Sequence, residues 1–275
     1  MAERWPAGMP TMSTLISHEE LAGRLEEVRL CDIRWDLIDP SRSRDIYESG
    51  HIPGAVFVNL DHDLAAPPGI DGRHPLPDVS TFASTLGRLG ITADTDVVVY
   101  DDVAGRHAAR MWWMLWSIGH HRVRLLDGGY QKWHGDIETG PFTPAPASYP
   151  VPDRFRGVAT RGELSGRVLI DARAGERYRG EVEPVDPKAG HIPGAINIST
   201  SRNLRSDGRF LDAADLAGVY SAMPPDAIVS CGSGVTACHD ALAMVIAGHA
   251  MPDVYIGSFS EWSRHDLPVA VGPDP

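Results

Sequence analysis

The strongest constraint on this 275-residue chain is that it repeats itself. His51-Ile52-Pro53-Gly54-Ala55-Val56 returns 140 residues later as His191-Ile192-Pro193-Gly194-Ala195-Ile196. Leu30-Cys31-Asp32-Ile33-Arg34 returns after 139 residues as Leu169-Ile170-Asp171-Ala172-Arg173. Leu126-Asp127-Gly128-Gly129-Tyr130-Gln131-Lys132-Trp133 is echoed 129 residues on by Tyr255-Ile256-Gly257-Ser258-Phe259-Ser260-Glu261-Trp262. Echoes in one order at slowly drifting offsets indicate a duplicated domain. The chain is also longer than a single ordinary core usually needs. From Gly140 onward a proline-rich stretch lacks backbone donors and favours extended conformations, as a linker does. The expected organisation is a domain over 12–140, a linker over 141–157 and a second domain over 158–275.

Within each half, short β-branched runs alternate with helical patterns. Val97 to Tyr100 and Ala227 to Ser230 read as buried strands, and His107 to Ile118 and Thr236 to Ala247 as the helices after them. Such alternation predicts an α/β fold in which each domain is a mainly parallel sheet with helices on both faces. Ligands of such sheets bind beyond the carboxyl ends of the strands.

The net charge of −12 argues against nucleic acid or an anionic membrane as partner. No apolar run approaches the roughly 20 residues of a membrane span, and Met1-Ala2-Glu3-Arg4-Trp5-Pro6 lacks the apolar core of a signal peptide. With only Cys31, Cys231 and Cys238, free thiols in a reducing cytoplasm are expected rather than a disulfide framework.

One of these thiols stands in a reactive setting. In Val229-Ser230-Cys231-Gly232-Ser233-Gly234-Val235-Thr236-Ala237 a buried strand ends, a glycine-bearing loop turns and a helix begins near Thr236. Gly232 and Gly234 permit a tight loop whose amides converge, and the helix N-terminus adds partial positive charge. That setting favours the nucleophilic thiolate and would hold the outer sulfur of a persulfide. The competing reading of Cys231 is a small apolar residue in a sheet core.

The heptapeptide Cys231 to Ala237 resembles the active-site loop of 3-mercaptopyruvate sulfurtransferases, and the paired His-Ile-Pro-Gly-Ala segments resemble the signature of the wider rhodanese superfamily. The resemblance spans roughly residues 12 to 270. It implies attack of the Cys231 thiolate on a donor's sulfur, departure of pyruvate, and delivery of the persulfide sulfur to cyanide or a thiol, a thioredoxin-like protein being one candidate acceptor. It implies no cofactor. Ser233 matches a loop serine that relays a proton with an aspartate of the first domain, for which Asp61 is the candidate; a solvated loop carboxylate is the alternative. Gly232, Gly234, Val235 and Thr236 match the substrate-cradling loop. Arg177 matches an arginine that grips the donor carboxylate, as a planar bidentate donor suits, against a plain surface role.

Family members often carry a second arginine a few residues later. Here Glu181 to Lys188 contains none, and Lys188 is the candidate substitute. His74, in Gly72-Arg73-His74-Pro75-Leu76-Pro77, lies in a loop resembling one turned toward the site, where it would orient the donor or merely shape a turn. Thiosulfate-using members usually have a basic pair at positions 232 and 233, where this chain has Gly232 and Ser233, so the resemblance favours 3-mercaptopyruvate and keeps thiosulfate as the alternative. A cysteine phosphatase would want an arginine near Thr236 and Ala237. A non-enzymatic sulfur-binding module is the last alternative.

The duplication supplies an internal control, because Asp101 stands where Cys231 stands and a carboxylate forms no persulfide. The first domain is therefore expected to be catalytically silent, and residues present in both halves, His51, His191, Asp32, Asp171, Arg34 and Arg173, to be structural. Tyr47 precedes His51 by four residues and Tyr178 precedes His191 by thirteen, so the second half carries nine more, which either edge the pocket or form an inert loop. Cys238, Cys31 and the Trp112, Trp113 and Trp116 stripe are expected in packing. No histidine–cysteine pattern of metal-ligand spacing and no phosphate loop occurs.

Overall fold

The computed structural model describes residues 13–275. The expectation about Met1 to Pro6, and the first residue of the 12–140 boundary, lie outside the described residues. Among the described residues, ten strands form two parallel sheets. The first contains β1 (Leu15–Ile16), β2 (Arg29–Asp32), β3 (Val56–Phe57), β4 (Val97–Tyr100) and β5 (Val123–Leu126), in the order β1-β5-β4-β2-β3. The second contains β6 (Val158–Ala159), β7 (Leu169–Asp171), β8 (Ala195–Asn197), β9 (Ile228–Ser230) and β10 (Asp253–Tyr255), in the equivalent order β6-β10-β9-β7-β8. The central strands β4 and β9 are buried throughout, as their runs of Val and Ile require of strands covered on both faces.

The repeated polar residues build the same clasp twice. Arg34 forks onto Asp32 and donates to the Gly50 carbonyl at 2.6 Å, while Arg173 forks onto Asp171 and donates to the Gly190 carbonyl at 2.7 Å. His51 stacks on Tyr47 at 4.1 Å and His191 on Tyr178 at 3.7 Å. These buried pairs tie a strand end to the turn before the next strand, which is why both halves need them.

The helices after the two central strands, Ala108–Ser117 and Ala237–Ile246, pack against each other across the boundary between the halves. Trp112, Trp113 and Trp116 lie in the single core cluster that also contains Cys238, Ala241 and Leu242. The segment expected to be a linker crosses the first half in extended form: the Ala147 amide donates to the Gly87 carbonyl at 2.8 Å, and Phe155 lies 5.6 Å from Phe82. Among the described residues, no helix is long and apolar enough to cross a membrane.

Candidate active site

Strand β9 delivers Cys231 to the boundary between the halves. The residue is 1% exposed, and its Sγ accepts the Gly234 N–H at 3.1 Å. Gly234 has φ +74°, and a Cβ there would run into the Ile256 carbonyl, so glycine is required for this approach. Thr236 gives the following helix no side-chain cap, and the N–H groups of Ser233, Val235 and Thr236 have no acceptor among the described residues. One amide thus meets the sulfur while its neighbours stay available for a second negative atom.

The segment Gly257 to Ser260 buttresses this loop from beneath. Ser258, held at φ +50°, accepts the Cys231 N–H at 3.0 Å and donates to the Tyr255 carbonyl at 2.7 Å. The amides of Phe259 and Ser260 donate to the carbonyls of Cys231 and Gly232 at 3.0 and 2.7 Å. Cys238, fully buried, donates from Sγ to the Gly234 carbonyl at 3.4 Å, and burial pushes its thiol up to about 12. Cys31, buried in the first sheet, is likewise pushed up to about 12.

The first half supplies the remaining wall. His74 Nδ1 lies 2.8 Å from Ser233 Oγ and His74 Nε2 lies 3.1 Å from Asp61 Oδ1, while Trp35 Nε1 donates to Asp61 Oδ2 at 2.7 Å. Burial alone would raise the Asp61 carboxyl, but the hydrogen bonds from His74 and Trp35 together outweigh it and hold it below the usual carboxylate range. Burial lowers the pKa of His74 against the opposing pull of Asp61, so the ring is neutral at pH 7. An ionised Asp61 can only accept, so Nε2 carries the proton and Nδ1 accepts the Ser233 hydroxyl. The three residues form a continuous hydrogen-bonded chain from the carboxylate to the Cys231 loop.

Arg177 reaches the same cavity, a space of about 110 Å³ lined by Trp35, Arg73, His107, Cys231, Gly232 and Thr236 among others. Its guanidinium bonds Glu183 at 2.6 Å and Asp186 at 3.2 Å, both in the nine-residue excess of the second half. That excess is therefore part of the pocket's charge lattice rather than an inert loop. Lys188 does not join it: Nζ donates to the carbonyls of His265 and Leu267 at 2.9 and 3.3 Å, which anchor it to the C-terminal segment. The expectation that Lys188 replaces a second arginine is corrected accordingly, because its ammonium is already satisfied elsewhere.

Sequence reasoning passed over two arginines here. Arg73 donates from Nη1 to Asp186 Oδ1 at 2.8 Å, beside Arg177. Arg110, fully buried in the first turn of its helix, donates to the carbonyls of Gly234 and His74 at 3.0 Å each and to Leu64 at 3.2 Å. It pins the cysteine loop and the histidine loop to one helix. A charged residue in an otherwise apolar helical run was the available signal for it.

Comparison with known proteins agrees with the two-domain fold. The model of the rhodanese-like domain matches residues 17–136 and again 158–265. The chain belongs to the rhodanese-like family. This two-domain rhodanese is 44% identical to a probable 3-mercaptopyruvate sulfurtransferase of Pseudomonas aeruginosa, over 94% of this chain and 98% of that one. It is 41% identical to a putative thiosulfate sulfurtransferase of Mycobacterium tuberculosis, over 90% and 93%. The solved 3-mercaptopyruvate sulfurtransferase from Leishmania major superposes with a TM-score of 0.83 at 30% identity, covering 94% of this chain and 76% of that chain.

Proposed function

We propose that this rhodanese is a sulfurtransferase that takes sulfur from 3-mercaptopyruvate, releases pyruvate, and passes the sulfur from a Cys231 persulfide to a thiol or to cyanide. The observation that carries the reading is the relay Asp61–His74–Ser233 ending on the Cys231 loop. In the first half-reaction the Cys231 thiolate attacks the donor sulfur, the S–S bond forms as the C–S bond breaks, and the electron pair leaves as the enolate of pyruvate. The proton of the donor thiol returns to that carbon by way of Ser233 and His74, which a neutral imidazole with a free acceptor lone pair can mediate. The free amides of Ser233, Val235 and Thr236 face the charge that develops on the outer sulfur. In the second half-reaction an acceptor nucleophile takes that sulfur and Cys231 returns to its thiolate.

The charge lattice supports a monocarboxylate donor. Asp171, Arg173, Glu183, Arg177, Asp186 and Arg73 alternate in sign along one chain of ion pairs, so the guanidiniums are matched by carboxylates. Thiosulfate would bring two negative charges to this balanced site, whereas 3-mercaptopyruvate brings one carboxylate. A thioredoxin-like dithiol protein is the acceptor we favour, and the unpaired Cys31, Cys231 and Cys238 fit a reducing, cytoplasmic compartment. Steady-state rates with each donor test the assignment. A higher kcat/KM with 3-mercaptopyruvate is expected, and a clear preference for thiosulfate would give the reaction to the alternative donor.

A further inference from the structure

The second cation of the donor pocket is absent from the segment where the family resemblance places it, yet the pocket holds two guanidiniums. Arg73 comes from the first half and Arg177 from the second, and a single carboxylate, Asp186, grips both, through Oδ1 to Arg73 at 2.8 Å and Oδ2 to Arg177 at 3.2 Å. The Asp186 side chain is fully buried, while the two arginines keep 19% and 20% of their side-chain surface, facing the cavity above Cys231. Asp186 is itself fixed by its own amide, which donates to Glu183 Oε1 at 3.0 Å.

The edges that the two forks leave free converge. A Cβ on Gly232 would lie 3.3 Å from Arg73 Nη2 and 3.5 Å from Arg177 Nη1, and neither nitrogen has an acceptor among the described residues. Arg73 Nε is buried with no hydrogen-bond partner among the described residues. Guanidinium donors left without acceptors in a half-open cavity favour an anion that completes them. The absence of a side chain at Gly232 keeps the space between them open.

From this geometry we infer that Arg73 is the second carboxylate-binding residue, so that the donor's carboxylate is held between one arginine of each half, with Asp186 as the positioning residue for both. This rests on the α-keto carboxylate donor proposed above. Asp71-Gly72-Arg73 is echoed by Asp207-Gly208-Arg209, the pattern of a structural arginine. The two side chains differ, however: Arg209 is 44% exposed and lies 3.8 Å from Asp207, its near neighbour, whereas Arg73 crosses to the other half. Arg209 is therefore the matched control.

Steady-state kinetics with 3-mercaptopyruvate, together with competitive inhibition by pyruvate, test the inference. Arg73→Met is expected to raise KM and the pyruvate inhibition constant together by roughly tenfold or more, with kcat within about threefold of wild type. Arg73→Lys should recover only part of the loss, because an ammonium lacks the fork, and Arg209→Met should change neither constant. Loading of Cys231 by inorganic polysulfide, which has no carboxylate, should survive in Arg73→Met when followed by intact-protein mass. An unchanged KM and inhibition constant in Arg73→Met would overturn the inference, as would a parallel loss of polysulfide loading, which would mean that the loop has simply collapsed. A wild-type preference for thiosulfate would overturn only the donor reading, since pyruvate inhibition and its dependence on Arg73 are measured equally well with either donor.

Discussion

The loops after β4 and β9 occupy equivalent places in the two halves and handle the same amides differently. In the first half the Asp101 carboxylate accepts four backbone N–H groups, those of Val103 and Gly105 at 2.9 and 2.8 Å and those of His107 and Ala108 at 2.7 and 2.8 Å. In the second half Cys231 Sγ accepts one, from Gly234. A resident carboxylate with two oxygens saturates its cradle, whereas a single sulfur atom leaves room for another. The relay diverges in parallel. Ten residues after the repeated histidine stand Asp61 in one half and Ser201 in the other, and two residues after the nucleophile position stand Val103 and Ser233. The Asp-Gly-Arg echo ends in His74 or Phe210, and Phe210 stacks on His239 at 4.5 Å. The Cys231 loop is completed by residues of the opposite half: His74 reaches Ser233, Asp61 holds His74, and Arg110 donates to the Gly234 carbonyl.

The sharpest test of that contrast is Cys231→Ser, which should reduce turnover by roughly 10⁴-fold or more and abolish the one-sulfur adduct in intact-protein mass spectra. An undiminished adduct would move the nucleophile elsewhere, Cys238 being the first suspect. Next in size, His74→Ala should lower kcat by about 10²-fold by cutting the relay, without preventing sulfur loading from polysulfide. The same histidine sets a pH dependence. Burial lowers its pKa below the ordinary 6.5, and a protonated ring cannot accept the Ser233 proton, so kcat should stay flat from neutrality through 6.5 and fall only at more acidic pH. A kcat that instead rises on acidification would require a cationic His74.

Smaller effects belong to the Asp101 loop. Asp101→Asn sets an amide N–H₂ against backbone donors and should cost about 1–3 kcal/mol in denaturant unfolding, with kcat retained in the folded protein. If stability were unchanged, the carboxylate would not be what saturates that cradle. Ala104 holds φ +60° in the same loop, and Ala104→Gly should relieve that strain, gaining at most about 1 kcal/mol because glycine also loses more entropy on folding. A loss of stability would show that the Ala104 methyl packs more favourably than its backbone is strained.

Much of the architecture was legible from periodicity and repetition. The expected helix after β4 shortens from His107–Ile118 to Ala108–Ser117, with His107 at the cap position. The expected strand before Cys231 begins at Ile228 rather than Ala227. Cys231, Ser233 and the glycines were readable because loop chemistry is local: neighbours in sequence are neighbours in space. Lys188 was misread for the opposite reason, since a lysine five residues after Glu183 can turn to either side of its segment, and here it turns to the carbonyls of His265 and Leu267.

The sequence by itself determined that there are two parallel α/β units, that only one carries a thiol at the strand end, and which loop surrounds it, because hydrophobic period, glycine placement and repeats act over a few residues. Tertiary structure decided which side chains of the first half face that thiol. His74 lies 159 residues from Ser233, and Arg73 lies 113 from Asp186, separations across which no local propensity acts. The packing of helix Ala108–Ser117 on helix Ala237–Ile246, together with the Arg110 bond to Gly234 and the Arg73 N–H bond to Ser260 Oγ, closes those distances.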